Sequence, residues 1–227
     1  MTNIKEINFA QERLEGFVRE TPILNSPFLD EIAGRKVFIK AECLQHTGSF
    51  KFRGGWSAIS AMNYDQRKNG VLAVSSGNHA QGVAYAAKAF GVKAVIIMPK
   101  DAPALKIENT KRLGAEVILY DRLNQDREAL GLRISKERSL TSIKPYDEPL
   151  VIAGQGTCGL EIASQSKKLN IIESDVIVCC GGGGLTSGIA LALESEAPKL
   201  KVRTAEPANF NDVAISLKDG KITRNHA

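Results

Sequence analysis

The sequence predicts an α/β fold built on parallel strands, and three observations carry that expectation. From about Val71 onward, short β-rich runs alternate with helical patterns, as they do where helices cross over between parallel strands. Small-residue turns stand where strands end and helices begin. A stretch with two prolines and several charges divides the pattern into two groups.

The expected strands are residues 71–74, 93–98, 116–120, 176–180 and 202–205, each short, rich in Val and Ile, and bounded by Gly, Pro or Asn. The expected helices are residues 79–90, 104–113, 124–138, 160–169 and 185–194. Gly91 and Gly114 sit where a helix C-terminus favours positive φ. One group of elements runs from about Gly70 to Pro145 and a second from about Glu148 onward. Residues 143–149, Ile-Lys-Pro-Tyr-Asp-Glu-Pro, suit a connection between them.

A chain of 227 residues, 43% hydrophobic and 24% charged, is large enough for one or two domains with a real core. No apolar run approaches the roughly 20 residues needed to span a bilayer, so no membrane role is expected. Residues 1–10 carry Lys5 and Glu6 and lack the apolar core of a secretory signal, which points to the cytoplasm. The net charge of +5 comes from Lys and Arg scattered among Asp and Glu, a solvated surface without the basic, aromatic-laced stretches of a nucleic-acid binder. Cys43, Cys158, Cys179 and Cys180 lack metal-ligand spacing. The adjacent pair falls in an apolar run that suits a buried strand better than a disulfide.

Four constellations bear chemistry. Lys51 lies between Phe50 and Phe52 in residues 47–55. Such a lysine either packs its stem on apolar surface with its ammonium in water, or is desolvated, loses charge and becomes a nucleophile toward an aldehyde. Ser75-Ser76-Gly77-Asn78-His79 joins a strand to a helix start. There it is either a plain cap or a carboxylate site, because unpaired amides and the helix dipole favour an anion. Gly181-Gly182-Gly183-Gly184-Leu185 follows a strand and leads into a helix, which suits a phosphate. It matches neither a Walker loop, which needs Lys and then Ser or Thr, nor the spacing of a dinucleotide fingerprint. Glu206 and Asp212 flank a turn and either share a hard cation or serve the helix dipole.

In this order the four stretches resemble the fold type II pyridoxal-phosphate enzymes, the serine/threonine dehydratase (ammonia-lyase) and serine racemase family. The similarity includes Thr21-Pro22, Leu113-Gly114-Ala115 and residues 151–157, and runs along essentially the whole chain. It implies two three-layer α/β/α domains with mostly parallel sheets, of the tryptophan synthase β-like kind. Residues 1–69 with 148–227 would form the larger, cofactor-binding one and residues 70–147 the smaller. It implies pyridoxal 5'-phosphate held covalently by Lys51, with Phe50 beside the ring, Asn78 on the ring hydroxyl, and Gly181, Gly182, Gly183, Gly184 and Leu185 on the phosphate. Ser75, Ser76, Asn78 and His79 would bracket the substrate carboxylate. Glu206, the Phe210 carbonyl and Asp212 would hold Mg²⁺, Ca²⁺ or Mn²⁺.

The implied reaction takes L-threonine or L-serine to a 2-oxo acid and ammonia, with the freed Lys51 amine removing the α-proton and the cofactor ring as electron sink. Ser76 stands where racemase-like members carry the acid for the opposite face, which keeps serine racemase and 3-hydroxyaspartate ammonia-lyase as alternatives. The resemblance also implies a C-terminally truncated chain whose larger domain is incomplete. Its open sheet edge would be covered by dimerisation or swapping, and the chain would be either active, with the remaining part supplied by a partner or dispensable, or an impaired remnant that only binds ligand or assembles. A nucleotide-binding doubly wound domain using Gly181 to Gly184 is the third reading, and it leaves Lys51 and residues 75–79 unexplained.

Overall fold

The structure is a computed structural model in which residues 1–223 are described. In chain order its elements are α1 (Ile4–Leu14), β1 (Ile23–Asn25), α2 (Pro27–Ala33), β2 (Phe38–Lys40), α3 (Lys51–Ser60), α4 (Tyr64–Asn69), β3 (Val71–Val74), α5 (Asn78–Ala89) and β4 (Ala94–Pro99). They continue with α6 (Ala104–Arg112), β5 (Glu116–Tyr120), α7 (Arg127–Glu137), β6 (Thr141–Ser142), α8 (Pro149–Lys168), β7 (Ser174–Cys179), α9 (Gly184–Glu196), β8 (Leu200–Ala205) and α10 (Asp212–Asp219).

The main sheet has four parallel strands in the order β5-β4-β3-β6. Parallel strands are covered on both faces and so read as continuous apolar runs, which is why Val71–Val74 and Ala94–Pro99 are almost wholly hydrophobic. The period of two then assigns the faces. Val71, Ala73, Ile96 and Met98 join Phe52 and Trp56 of α3 and Val83 of α5 in one core. Leu72, Val95 and Ile97 face Ile134 of α7. Helices on both faces make this part three-layered. A second parallel pair, β7–β8, packs Val176, Val178, Leu200 and Val202 against α8 and α9. Its other face carries the exposed Ile177. β1 and β2 pair antiparallel. The α/β class with parallel sheets is therefore as the sequence predicts.

Several bounds differ. The strand expected at 93–98 runs one residue later, and those expected at 176–180 and 202–205 each begin two residues earlier. Residues 143–148 do form a connection, but Thr141 and Ser142 before it are a strand, and Pro149 is the first residue of α8, where its missing N–H costs nothing. The helix expected at 160–169 thus begins 11 residues sooner. Residues 224–227, the tail of the larger unit expected from the resemblance, lie outside the described residues.

α1, α2, α3 and α4 and the strands β1, β2 and β6 were not read from the pattern, and α3 shows why. It contains Gly54-Gly55, which disfavour a helix by about 1 kcal/mol each relative to Ala. The glycines are there because α3 is clasped between α5 and α8. A Cβ on Gly55 would lie 3.0 Å from the backbone of Gly82, one on Gly82 would lie 2.8 Å from that of Lys51, and one on Gly154 would lie 2.5 Å from the Arg53 carbonyl oxygen.

The clasp is locked by Arg53, which is fully buried. Its Nε and Nη2 donate to Glu42 at 2.8 and 2.7 Å, its Nη1 and Nη2 to Glu161 at 2.7 and 2.9 Å, and its Nη1 to Thr157 at 3.2 Å. All five guanidinium N–H groups thereby have partners. Lys40 Nζ donates to Glu161 and Gln165 and balances the second carboxylate. Removing one member of a buried ion network leaves the others uncompensated. Arg53→Ala is therefore expected to lower unfolding stability by about 3–5 kcal/mol, read from urea denaturation, and unchanged stability would refute the assignment.

Candidate active site

The chain leaves β3 for β4 and β5 on one side and returns to β6 on the other, so the strand order reverses between β3 and β6. Ligands of open α/β sheets bind beyond the carboxyl ends of the strands at such a reversal. Here the segments leaving those two strands are residues 75–79 and 143–148. His79 Nε2 donates to the Ile143 carbonyl oxygen at 3.0 Å, so a neutral ring carries its proton there and Nδ1 is left without a partner. Burial and, to a lesser degree, the nearby Lys51 charge bring His79 down to about 4. Lys51 Nζ donates to the Pro145 carbonyl oxygen.

Lys51 begins α3 and lines a cavity of about 310 Å³ together with Phe50 and Gly181, Gly182, Gly183, Gly184 and Leu185. Its Nζ lies 5.3 Å from the centre of the Phe50 ring. Burial lowers its pKa to about 8, against a smaller opposing effect of Cys179. Of the two sequence readings of this lysine, the partly desolvated amine is the one the structure supports. The glycine loop turns through Gly183, with φ of +81°, into α9. The first amides of that helix have no partner within it and, with the dipole, favour an anion.

The cavity also has walls that the sequence reading passed over. Tyr146 lies against the glycine loop so closely that a Cβ on Gly182 would fall 2.1 Å from its Cγ, and one on Gly184 would fall 2.7 Å from its carbonyl oxygen. Tyr146 sits in the stretch read only as a connection. Its position four residues after β6, at the reversal of the sheet, is the signal that could have found it. Thr186, one residue past the named loop, also lines the cavity, nine-tenths buried, with an unpartnered Oγ1. Cys179 and Cys180 line it as well. The expectation that this pair is buried holds for Cys180 alone. Cys179, the last residue of β7, is exposed, and both thiols are free.

The remaining expected residues stand elsewhere. Ser75 and Ser76 line a neighbouring cavity of about 40 Å³ with Arg122 and Arg127. Asn78 Oδ1 accepts a hydrogen bond from Lys106 Nζ at 2.7 Å. The Glu206 carboxylate accepts from the amides of Val213 and Ala214 at 3.0 and 2.9 Å, so it caps α10, whose first residue is Asp212. Phe210 N donates to the Pro207 carbonyl at 2.9 Å in the intervening turn, and its ring is exposed. Among the described residues no three His, Cys, Asp or Glu side chains form a metal cluster, nor is any helix long and apolar enough to cross a membrane.

A family profile described as "Pyridoxal-phosphate dependent enzyme" matches residues 14–227. The chain belongs to that family. It is 44% identical over 222 residues to an L-threo-3-hydroxyaspartate ammonia-lyase from a Pseudomonas species, covering 98% of this chain and 68% of the relative. It is 45% identical over 217 residues to a serine racemase of Schizosaccharomyces pombe, covering 96% of this chain and 66% of the relative. The solved structure of maize serine racemase superposes with a TM-score of 0.92 at 39% identity, over 98% of this chain and 67% of that one. The chain thus spans about two thirds of the length of these family members.

The residues present fit the family's cofactor. An amine with a lowered pKa suits an aldehyde, and a loop without side chains at the start of a 13-residue helix suits a phosphate. The orphaned Thr186 hydroxyl adds a buried polar group that a ligand could satisfy.

Gly182→Ala is expected to cost about 1–3 kcal/mol, because the added methyl must drive the Tyr146 ring aside. In the double variant with Tyr146→Gly most of that cost should vanish. Strictly additive losses in denaturant titrations would show that the two do not touch.

Proposed function

We propose that this chain carries the site of a pyridoxal-phosphate-dependent ammonia-lyase that converts L-threonine or L-serine to a 2-oxo acid and ammonia. The observation that carries the reading is a single cavity lined both by the desolvated Lys51 amine and by the Gly181–Gly184 loop at the α9 N-terminus. Pyridoxal phosphate, when bound, supplies an electron sink for the charge left by the departing α-proton.

The protein's own groups divide the remaining tasks. Lys51, partly neutral near pH 8, is the amine that would hold the cofactor through its aldehyde and take the proton at the substrate α-carbon. The loop amides, Leu185 and the α9 dipole would hold the phosphate, and Phe50 would lie on the ring side of the site. Asn78 is assigned to the ring hydroxyl and, with Ser75, Ser76 and His79, to the substrate carboxylate. Support for this comes from their place at the start of α5, whose free amides favour an anion. His79, neutral down to about pH 4 and hydrogen-bonded to Ile143, positions that segment rather than carrying charge. The same reading gives Glu206, the Phe210 carbonyl and Asp212 a divalent cation. In its favour, the Glu206 carboxylate lies at the start of α10, whose first residue is Asp212. It also takes residues 1–69 with 148–227 as the cofactor-side unit and 70–147 as the smaller one, since all four strands of the main sheet lie between Val71 and Ser142.

Serine racemase or 3-hydroxyaspartate ammonia-lyase activity is the second reading, supported by the 45% and 44% identity to relatives so named.

The purified chain supplemented with pyridoxal phosphate is expected to show a band at about 410–420 nm that is lost in Lys51→Ala, and to release 2-oxo acid from L-threonine or L-serine. A band without 2-oxo acid would mark a chain that only binds ligand, and no band would sink the reading. Because the amine rather than the ammonium attacks the aldehyde, the rate of band formation should rise about tenfold per pH unit at low pH and flatten above about pH 8. A rate still climbing steeply at pH 10 would mean that Lys51 is not desolvated.

A further inference from the structure

The four thiols occupy two kinds of environment. Cys158 is 2% exposed, and burial pushes it up to about 12. Cys180 is 7% exposed. Neither can readily present a thiolate to a reagent. Cys43 and Cys179 are exposed. Successive residues of a strand point to opposite faces, so at the end of β7 the chain buries Cys180 and turns Cys179 outward. Cys179 is paired in register with Ala205 of β8, and both line the Lys51 cavity, whereas Cys43 lies outside it. Cys179 is also near enough to Lys51 for its charge to act on the amine. A second feature marks the cavity as a ligand site. Thr186, nine-tenths buried, lines it, and its Oγ1 has no protein partner.

We propose that Cys179 is a thiol-modification site within the Lys51 cavity, where a soft electrophile bonds to Sγ and that adduct and pyridoxal phosphate exclude one another. The chemistry balances without an oxidant. With a maleimide, the thiolate adds to the C=C bond, an S–C bond forms as the π bond breaks, and the neighbouring carbon takes a proton from water. Exclusion follows from shared space: Cys179 lines the same cavity of about 310 Å³ as Lys51 and the glycine loop, so an adduct on its Sγ takes up room that the cofactor would need. This part rests on the cofactor reading above.

The test treats the full chain with N-ethylmaleimide, with and without saturating pyridoxal phosphate, and maps the adducts by peptide mass spectrometry. Cys43 and Cys179 should label while Cys158 and Cys180 do not. The cofactor should slow Cys179 by about tenfold or more and Cys43 by less than about twofold. Chain already labelled at Cys179 should lose most of its 410–420 nm band, while Cys179→Ser exposed to maleimide should keep the band of its own untreated sample. Cys179→Ala serves the same comparison if the serine variant does not fold. Protection of both cysteines or of neither, an unlabelled Cys179, or an undiminished band after labelling overturns the proposal. A chain that forms no band before labelling overturns the cofactor reading itself, and the exclusion with it.

Discussion

The structure depends on a buried ion network, Arg53 and Lys40 against Glu42 and Glu161. Burying four charges is costly unless every one is paired and hydrogen-bonded. Here Thr21 Oγ1 donates to Glu42, Gln165 accepts from Lys40, and Thr157 accepts from Arg53. Burial alone would raise the Glu42 carboxyl, yet the hydrogen bonds and charge of Arg53, with help from Thr21 and Lys40, hold it below the usual value. What the network provides is alignment. It joins the turn at Glu42 and the strand β2 to α3 and to the middle of α8, so three segments distant in sequence are held in one register. A hydrophobic cluster of similar volume would bind them equally well but would tolerate sliding. Five directed bonds around one guanidinium do not.

That alignment sets the chemistry at the start of α3. Arg53 and Lys51 are two residues apart, so about 200° of helical rotation separates them and they face opposite ways. The carboxylates are gathered on the Arg53 side. On the other side, Lys51 meets a neutral carbonyl from Pro145, the Phe50 ring and the glycine loop. Desolvation without a carboxylate partner is what brings its pKa down to about 8. An acid placed near Lys51 would restore the ammonium, so the same helix pairs its cation with carboxylates at one position and leaves it without one two residues earlier.

Much of this was legible in the sequence, and several of the parts that were not share a cause. Residues 71–120 read correctly because parallel strands buried on both faces advertise themselves as apolar runs, and because Gly91 and Gly114 take the positive φ that helix ends favour. Lys51 and the four-glycine loop could be read together because their order, not any one motif, was distinctive, and both line one cavity. Two of the failures, α3 and the first half of α8, lie where Gly54, Gly55, Gly154 and Gly156 look like helix breakers. Their logic is tertiary: each is a point where another chain segment comes within 2.4–3.1 Å of where a Cβ would be. A local propensity scale cannot register a neighbour that is a hundred residues away. Tyr146 was missed for a related reason, since its role is defined by Gly182 and Gly184, which lie beyond the whole of α8.

The segment from Ile143 to Glu148 is therefore more than a link between two groups of elements. Its Ile143 carbonyl accepts from His79, its Pro145 carbonyl accepts from Lys51, Tyr146 seats on the glycine loop, and Lys144 N donates to Glu148 Oε2 at 2.7 Å to close it into a compact turn. Proline at 145 fixes one backbone angle and lacks an N–H, so its carbonyl remains available to the lysine without competition from a helix that would otherwise start there. Pro149 then begins α8 at the one place where proline favours a helix. One short segment thus reaches His79, Lys51 and the glycine loop at once. The three stretches that the sequence presents as separate motifs are tied together by the connection that seemed to carry no chemistry.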